Sequence, residues 1–279
     1  MTVIDAHQHF WWLSPTRKHS WPQAAEKPMA RNFTPADLLP ELKQAGVDGT
    51  ILIQSVSDYD ETLEFIDLAR KHDFIKGVVG WVPLVDPDGA ARALDELGES
   101  GWLVGIRHVI SYEPDPDWIL QPKVLESLRL IARKGLVFDA VPTLRQMESM
   151  FKVAEAIPDL KIAMNHMARA PVPEQGWEPW ASIVKRWASH PNVSLKLSPG
   201  LDFVTRMHWN TAAVTRYAMH IFECFGPGRV IACSNWPVVL VGGTYQEVWS
   251  GITELASMLP TAERDQVMGG AAQRVYGIR

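Results

Sequence analysis

Val3-Ile4-Asp5-Ala6-His7-Gln8-His9 is a short β-branched run that stops at a histidine pair. Side chains two apart in a strand point the same way, so His7 and His9 project together, about 7 Å apart along the backbone. Two imidazoles on one rigid strand end make a natural half of a metal site. Alone, a His-x-His is a weak signal. The rest of the chain decides its meaning.

Beyond this run, short apolar stretches alternate with helical patterns. Strands are expected at Thr50–Gln54, Lys76–Val82, Leu103–Arg107, Leu136–Val141, Lys161–His166, Val193–Leu197 and Arg229–Ser234. Helical patterns fall between them, at Pro35–Ala45, Asp60–His72, after Asp86-Pro87, and at Lys123–Lys134, Leu144–Ala156, Trp180–Ser189, Ala212–Phe225 and Tyr245–Met258. A last helix, Ala262–Val275, closes the chain. Strands alternating with helices call for a parallel sheet, and eight such units call for closure on themselves. The expected fold is α/β, a single (β/α)8 TIM-type barrel with a C-terminal closing helix, spanning residues 1–279 as one domain. An open doubly wound sheet is disfavoured, because no glycine-rich phosphate loop follows the first strand.

Composition agrees with that size. Of 279 residues 47% are apolar and 21% charged, as in a globular protein with a full core. The net charge of −5 comes without a basic block, which argues against nucleic acid as a partner. No run reaches the roughly 18 apolar residues of a membrane span, and no secretory signal pattern opens the sequence. A cytoplasmic, membrane-free protein is expected, with Cys224 and Cys233 as reduced thiols and with homo-oligomerisation left open. Twelve tryptophans are many for this length. Trp11, Trp12, Trp21, Trp81, Trp118 and Trp236 fall near strand ends, where an aromatic-walled pocket would use them.

Two segments interrupt the rhythm: Phe10–Phe33, about two dozen residues, and the proline-rich Ala168–Gly176. Both follow strands, so both belong at the face where barrels place their chemistry. His166 ends the sixth strand at that face. Asn235, in Cys-Ser-Asn-Trp-Pro, ends the eighth, which lies beside the first. Three imidazoles and one polar side chain therefore converge. His7, His9 and His166 suit Zn²⁺ with an open fourth position. Arg107 ends the fourth strand and offers a planar fork of donors for a carboxylate or carbonyl. Gln54, His108, Tyr112, Trp81 and Trp236 are further substrate-binding candidates. Lys196 has inward parity and is expected as a buried, structural cation near Asp5. Asp58 and Asp60 read as helix-start residues. His19, His72, His190, His208 and His220 are expected to be solvated or packed.

His-x-His after the first strand, a histidine after the sixth and a Ser-Asn-Trp-Pro segment after the eighth resemble the lactonase-type branch of the amidohydrolase superfamily. Val79-Gly80-Trp81-Val82, Gly105-Ile106-Arg107-His108, Leu195-Lys196-Leu197-Ser198 and the closing Gly-Gly-Ala-Ala-Gln-Arg-Val-Tyr extend the likeness across the chain. The branch includes sugar-acid lactonases and hydrolases of pyrone dicarboxylate and muconolactone derivatives. The resemblance implies a small cyclic substrate whose ring carbonyl is attacked by an activated water. It implies one divalent metal, Zn²⁺ first, or none, since members of both kinds are known. It also implies a strand-eight aspartate as general base, and here the chain departs from the pattern with Asn235. A carboxamide has no useful basicity near neutral pH. The expected reading is a hydrolase inactivated by an Asp-to-Asn change, with natural loss of catalysis as the alternative. Two rivals remain: a metal-dependent decarboxylase of the same superfamily, and a non-catalytic binding protein.

Overall fold

The computed structural model describes residues 2–15, 19 and 23–278. Eight parallel strands follow one another around a single sheet: β1 (Ile4–Gln8), β2 (Gly49–Ile53), β3 (Ile75–Gly80), β4 (Leu103–His108), β5 (Val137–Ala140), β6 (Lys161–Met164), β7 (Val193–Leu197) and β8 (Val230–Ala232). The seam between β8 and β1 is closed by a parallel bridge from Gln8 to Trp236, where His9 N–H donates to the Trp236 carbonyl at 2.8 Å. The expected barrel is there, and its strands lie within two residues of the boundaries read from the sequence, with β3, β6 and β8 each ending two residues early.

Strand parity sorts the core into two layers. Ile51, Ile53, Val79, Val137, Ala163 and Ile231 fill the barrel's interior, and Ala271, Ala272, Tyr276 and Ile278 from the chain's end pack against them. Leu52, Val78, Ile106, Phe138, Ile162 and Leu195 face the other way, into the shell of helices. The expected final helix is divided into Thr261–Asp265, a π turn at Gln266–Gly270 and Ala271–Tyr276. Close approach explains that irregularity: a Cβ at Gly269 would lie 1.9 Å from the Thr2 carbonyl oxygen, so only glycine lets the end of the chain cross the start of β1.

The first strand is also irregular. Its register against β2 shifts between Asp5 and Gln8, an inserted residue of the kind that re-aims side chains. Below the shift Ile4 and Ala6 join the interior cluster. Beyond it, His7 and His9 take the inward side. Asp5 turns away, accepting from Ser234 N–H (2.8 Å) and Ser234 Oγ (2.6 Å) and from Tyr245 OH (3.3 Å). That shift corrects the expectation that Lys196 sits near Asp5. Lys196 is indeed fully buried and inward, but it pairs with Asp139 of β5.

Two further differences concern the loops. The Phe10–Phe33 segment carries a helix, Gln23–Met29, that its prolines and tryptophans gave no reason to expect; Trp21 lies outside the described residues. Its stem is a two-strand clasp, with Trp11 and Phe33 exchanging backbone hydrogen bonds at 3.0 Å. Both cysteines are free, as expected. Among the described residues no helix is long and apolar enough to cross a membrane.

Candidate active site at the C-terminal mouth of the barrel

The strand ends deliver their side chains to one cavity of about 540 Å³, within the range of small-ligand sites. His9, Arg107, Tyr112, His166 and Asn235 form part of its wall, with Trp11, Val141, Leu201 and Val238 supplying apolar surface. His7 and Gln54 stand directly behind that wall. His108, Trp81 and Trp236 do not line it. His108 is occupied elsewhere, stacked on Trp118 at 4.4 Å between ring centres and joined to Glu113 (2.7 Å) and the Trp81 indole N–H (3.3 Å). Trp236 packs edge-on against Phe10 and Phe33, at 6.0 and 5.4 Å.

The histidines form a chain whose proton positions follow from its ends. Lys196 Nζ lies 3.1 Å from His7 Nδ1, and an ammonium can only donate, so that nitrogen accepts. His7 then carries its proton on Nε2, which faces His9 Nε2 at 3.1 Å. His9 in turn donates from Nδ1 to the Ile53 carbonyl, 2.8 Å away, which leaves its Nε2 free to accept from His7. His166 completes the cluster, its ring centre 4.8 Å from that of His7 and its Nδ1 2.9 Å from Ser198 Oγ. Burial holds all three imidazoles well below their ordinary value, and the positive charges of Lys196 and Arg107 push the same way. The cluster is neutral.

Beneath it sits a buried ion pair. Lys196 is joined to Asp139, which also accepts from Tyr276 OH at 2.7 Å. Such a pair is sustained by its hydrogen bonds, and removing one partner would leave a charge stranded in the core. Arg107 is held by Gln54, donating to its carbonyl and, at 3.3 Å, to its Oε1, while Gln54 Nε2 donates back to the Arg107 carbonyl at 3.2 Å. Burial lowers the guanidinium to about 10, still charged at neutral pH. Its Nε has no hydrogen-bond partner among the described residues.

Asn235 adopts φ +60°, a left-handed conformation that asparagine tolerates better than most residues. Its backbone N–H donates to the His7 carbonyl (2.9 Å), tying the end of β8 to β1. Its Nδ2 donates to the Pro199 carbonyl, also at 2.9 Å, which leaves Oδ1 as the acceptor available at the cavity. The four residues from His166 to Arg169 are all left-handed, with φ between +48° and +59°. Each non-glycine residue there costs about 1–2 kcal/mol, and strain of that kind is retained where it aims functional groups. Here it sets both His166 and Arg169 on the cavity wall.

Sequence reasoning missed Arg169 and Asp202, paired at 3.2 Å on the cavity wall, and Ser55, which lines the same cavity after β2. The available signal was position: each lies within a few residues after a strand end. The charge balance bears on a metal. Among the described residues no three of His, Cys, Asp or Glu form a ready metal-holding group. His9 and His166 have the usual pattern for ligands, with the Nδ1 nitrogen engaged by the protein. For His7 to offer its Nε2 lone pair, its proton would have to sit on Nδ1, where Lys196 donates. Metal binding through all three imidazoles and the Lys196–His7 hydrogen bond exclude each other.

Residues 4–278 match the family model described as amidohydrolase. The chain is 33% identical to an L-fucono-1,5-lactonase of Burkholderia ambifaria, over 99% of this chain and 95% of that one. It superimposes on the crystal structure of an amidohydrolase from Burkholderia multivorans with bound HEPES (TM-score 0.93, 26% identity, both chains fully covered). A zinc-bound form of an amidohydrolase from the same organism gives a TM-score of 0.92 at 25% identity, again over the whole of both chains.

Proposed function

The chain belongs to the amidohydrolase family, and from that premise we propose that its cavity takes a sugar-acid lactone and opens the ring by attack of water on the ring carbonyl. The observation that carries this reading is the convergence of two neutral imidazoles with a third directly behind them, a guanidinium with no carboxylate partner among the described residues and a strand-eight amide on one small-ligand cavity. The likeness to an L-fucono-1,5-lactonase over nearly the whole chain supports the choice of lactone.

In this reaction negative charge develops on the ring carbonyl oxygen. Fixed donors that need no reorganisation stabilise it best, and Arg107, anchored by Gln54, is such a donor. The His7–His9 pair contributes a fixed network at the cavity floor. Asn235 Oδ1 accepts from the attacking water and orients it, but takes no proton from it. With its proton moved to Nδ1, His7 would join His9 and His166 in holding a divalent ion, which would supply a Lewis acid for the carbonyl. The chain as it stands thus binds and aligns a lactone and opens it slowly, for want of a carboxylate base at position 235. A second reading, a lactone-binding protein that never catalyses, draws on the same residue, since Pro199 O accepts from an amide N–H that a carboxylate does not possess.

The test is Asn235→Asp, assayed by acid release from an aldonolactone at constant pH. The substitution is expected to raise the rate by about 10²–10⁴, the ordinary contribution of a general base. If neither protein releases acid above the uncatalysed rate, the hydrolase reading fails.

A further inference from the structure

The Arg169–Asp202 pair is a charged feature of the cavity wall that the reaction above does not use. Arg169 leaves the left-handed turn after β6, and its Nε donates to the Pro142 carbonyl at 2.7 Å. One N–H of its terminal nitrogens reaches Asp202 Oδ2 at 3.2 Å. A guanidinium has five N–H donors, so two are used and three remain. Asp202 Oδ2 is engaged by Arg169, whereas Oδ1 has no donor among the described residues. Asp202 reaches this position because residue 200 is glycine. A Cβ there would lie 2.6 Å from Asp202 Oδ1 and 3.2 Å from His166 Cβ, so the carboxylate, the glycine and the histidine are packed together on one side of the cavity.

We propose that Arg169 and Asp202 form a specificity clamp that selects neutral, hydroxyl-bearing lactones and turns away lactones carrying a carboxylate. This rests on the lactone reading. A secondary alcohol both donates and accepts, and the pair offers one acceptor, Oδ1, beside three donors. Adjacent ring hydroxyls would donate to Asp202 and accept from Arg169. Electrostatics sets the other half of the selectivity. Arg169 is already neutralised by Asp202, so the clamp has no net charge to hold a substrate carboxylate, and Asp202 repels one. Arg107 is the guanidinium on the wall without a carboxylate in contact, and the developing oxyanion needs it.

The clamp is tested in the Asn235→Asp protein with two substrates, a neutral polyhydroxy lactone and a lactone bearing a ring carboxylate. Adding Asp202→Asn is expected to lower kcat/KM on the polyhydroxy lactone about tenfold or more, as when a hydrogen-bonding site loses its partner. The same change frees Arg169 and is expected to raise kcat/KM on the carboxylated lactone severalfold. Arg169→Met should weaken both. If Asp202→Asn leaves the ratio of the two substrates within about twofold of the parent, the clamp is overturned while the hydrolase reading stands. If the Asn235→Asp parent turns over neither lactone, it is the hydrolase reading that has failed. Calorimetric binding of the polyhydroxy lactone to the Asn235 chain then decides the clamp alone: unchanged affinity in Asp202→Asn overturns it, and a tenfold loss upholds it.

Discussion

At the residue scale the site is an exercise in keeping imidazoles neutral. His7, His9 and His166 are buried, and Lys196 and Arg107 stand close by, so a proton on any of them would be both unsolvated and repelled. The consequence is visible in stability. A histidine whose folded pKa is depressed contributes stability above its unfolded value of about 6.5, and that contribution is lost as pH falls toward the folded value. Below about 6.5 each imidazole removes up to about 1.4 kcal/mol per pH unit. Asp5 acts in the opposite sense. Burial raises it to about 6, against the hydrogen bonds of Ser234, His7 and Tyr245. The stability it contributes is full below about 3.8 and is lost as pH rises through about 6, so it offsets part of the loss from three histidines. For the metal-free protein, urea unfolding should show roughly 3–5 kcal/mol less stability at pH 5 than at pH 7. His166→Asn should make that dependence shallower. A flat profile between pH 7 and 5 would mean that the imidazoles are not held neutral.

At the scale of elements, two short irregularities place the side chains of the candidate site. One is the register shift in β1, which turns His7 and His9 inward and Asp5 toward Ser234. The other is the left-handed turn from His166 to Arg169. Ala168, at φ +48°, sits in that turn with no polar side chain to favour the conformation. Ala168→Gly removes its Cβ strain, offset in part by the greater freedom of glycine in the unfolded chain. A net gain of about 1 kcal/mol in unfolding free energy is expected. A loss of stability would show that the turn is not strained as described.

For the whole molecule, the alternation of strands and helices made the barrel legible, because parity and period are local properties of sequence. His7, His9, His166, Arg107 and Asn235 were legible too, as polar residues at strand ends. What the sequence did not reveal depends on contacts between distant segments. Strict alternation puts Asp5 on the same side as His7, and only pairing with β2 shows the inserted residue between them. Asp139 as the partner of Lys196 needs β5 and β7 brought around the barrel together. Arg169 and Asp202 are placed by a strained turn and by a short helix that starts after Gly200, neither of which has a periodic signature. His108 looked like a pocket residue because it follows Arg107, but Glu113, Trp81 and Trp118 claim it.

The most direct measurement is a crystal structure of the Asn235 chain soaked with a polyhydroxy lactone. The account predicts an unopened ring in the mouth, its carbonyl oxygen within hydrogen-bonding distance of Arg107 and its hydroxyls against Asp202 and Arg169. A ring bound elsewhere on the molecule, with the space between His9, His166 and Asn235 filled only by solvent at saturating ligand, would contradict it.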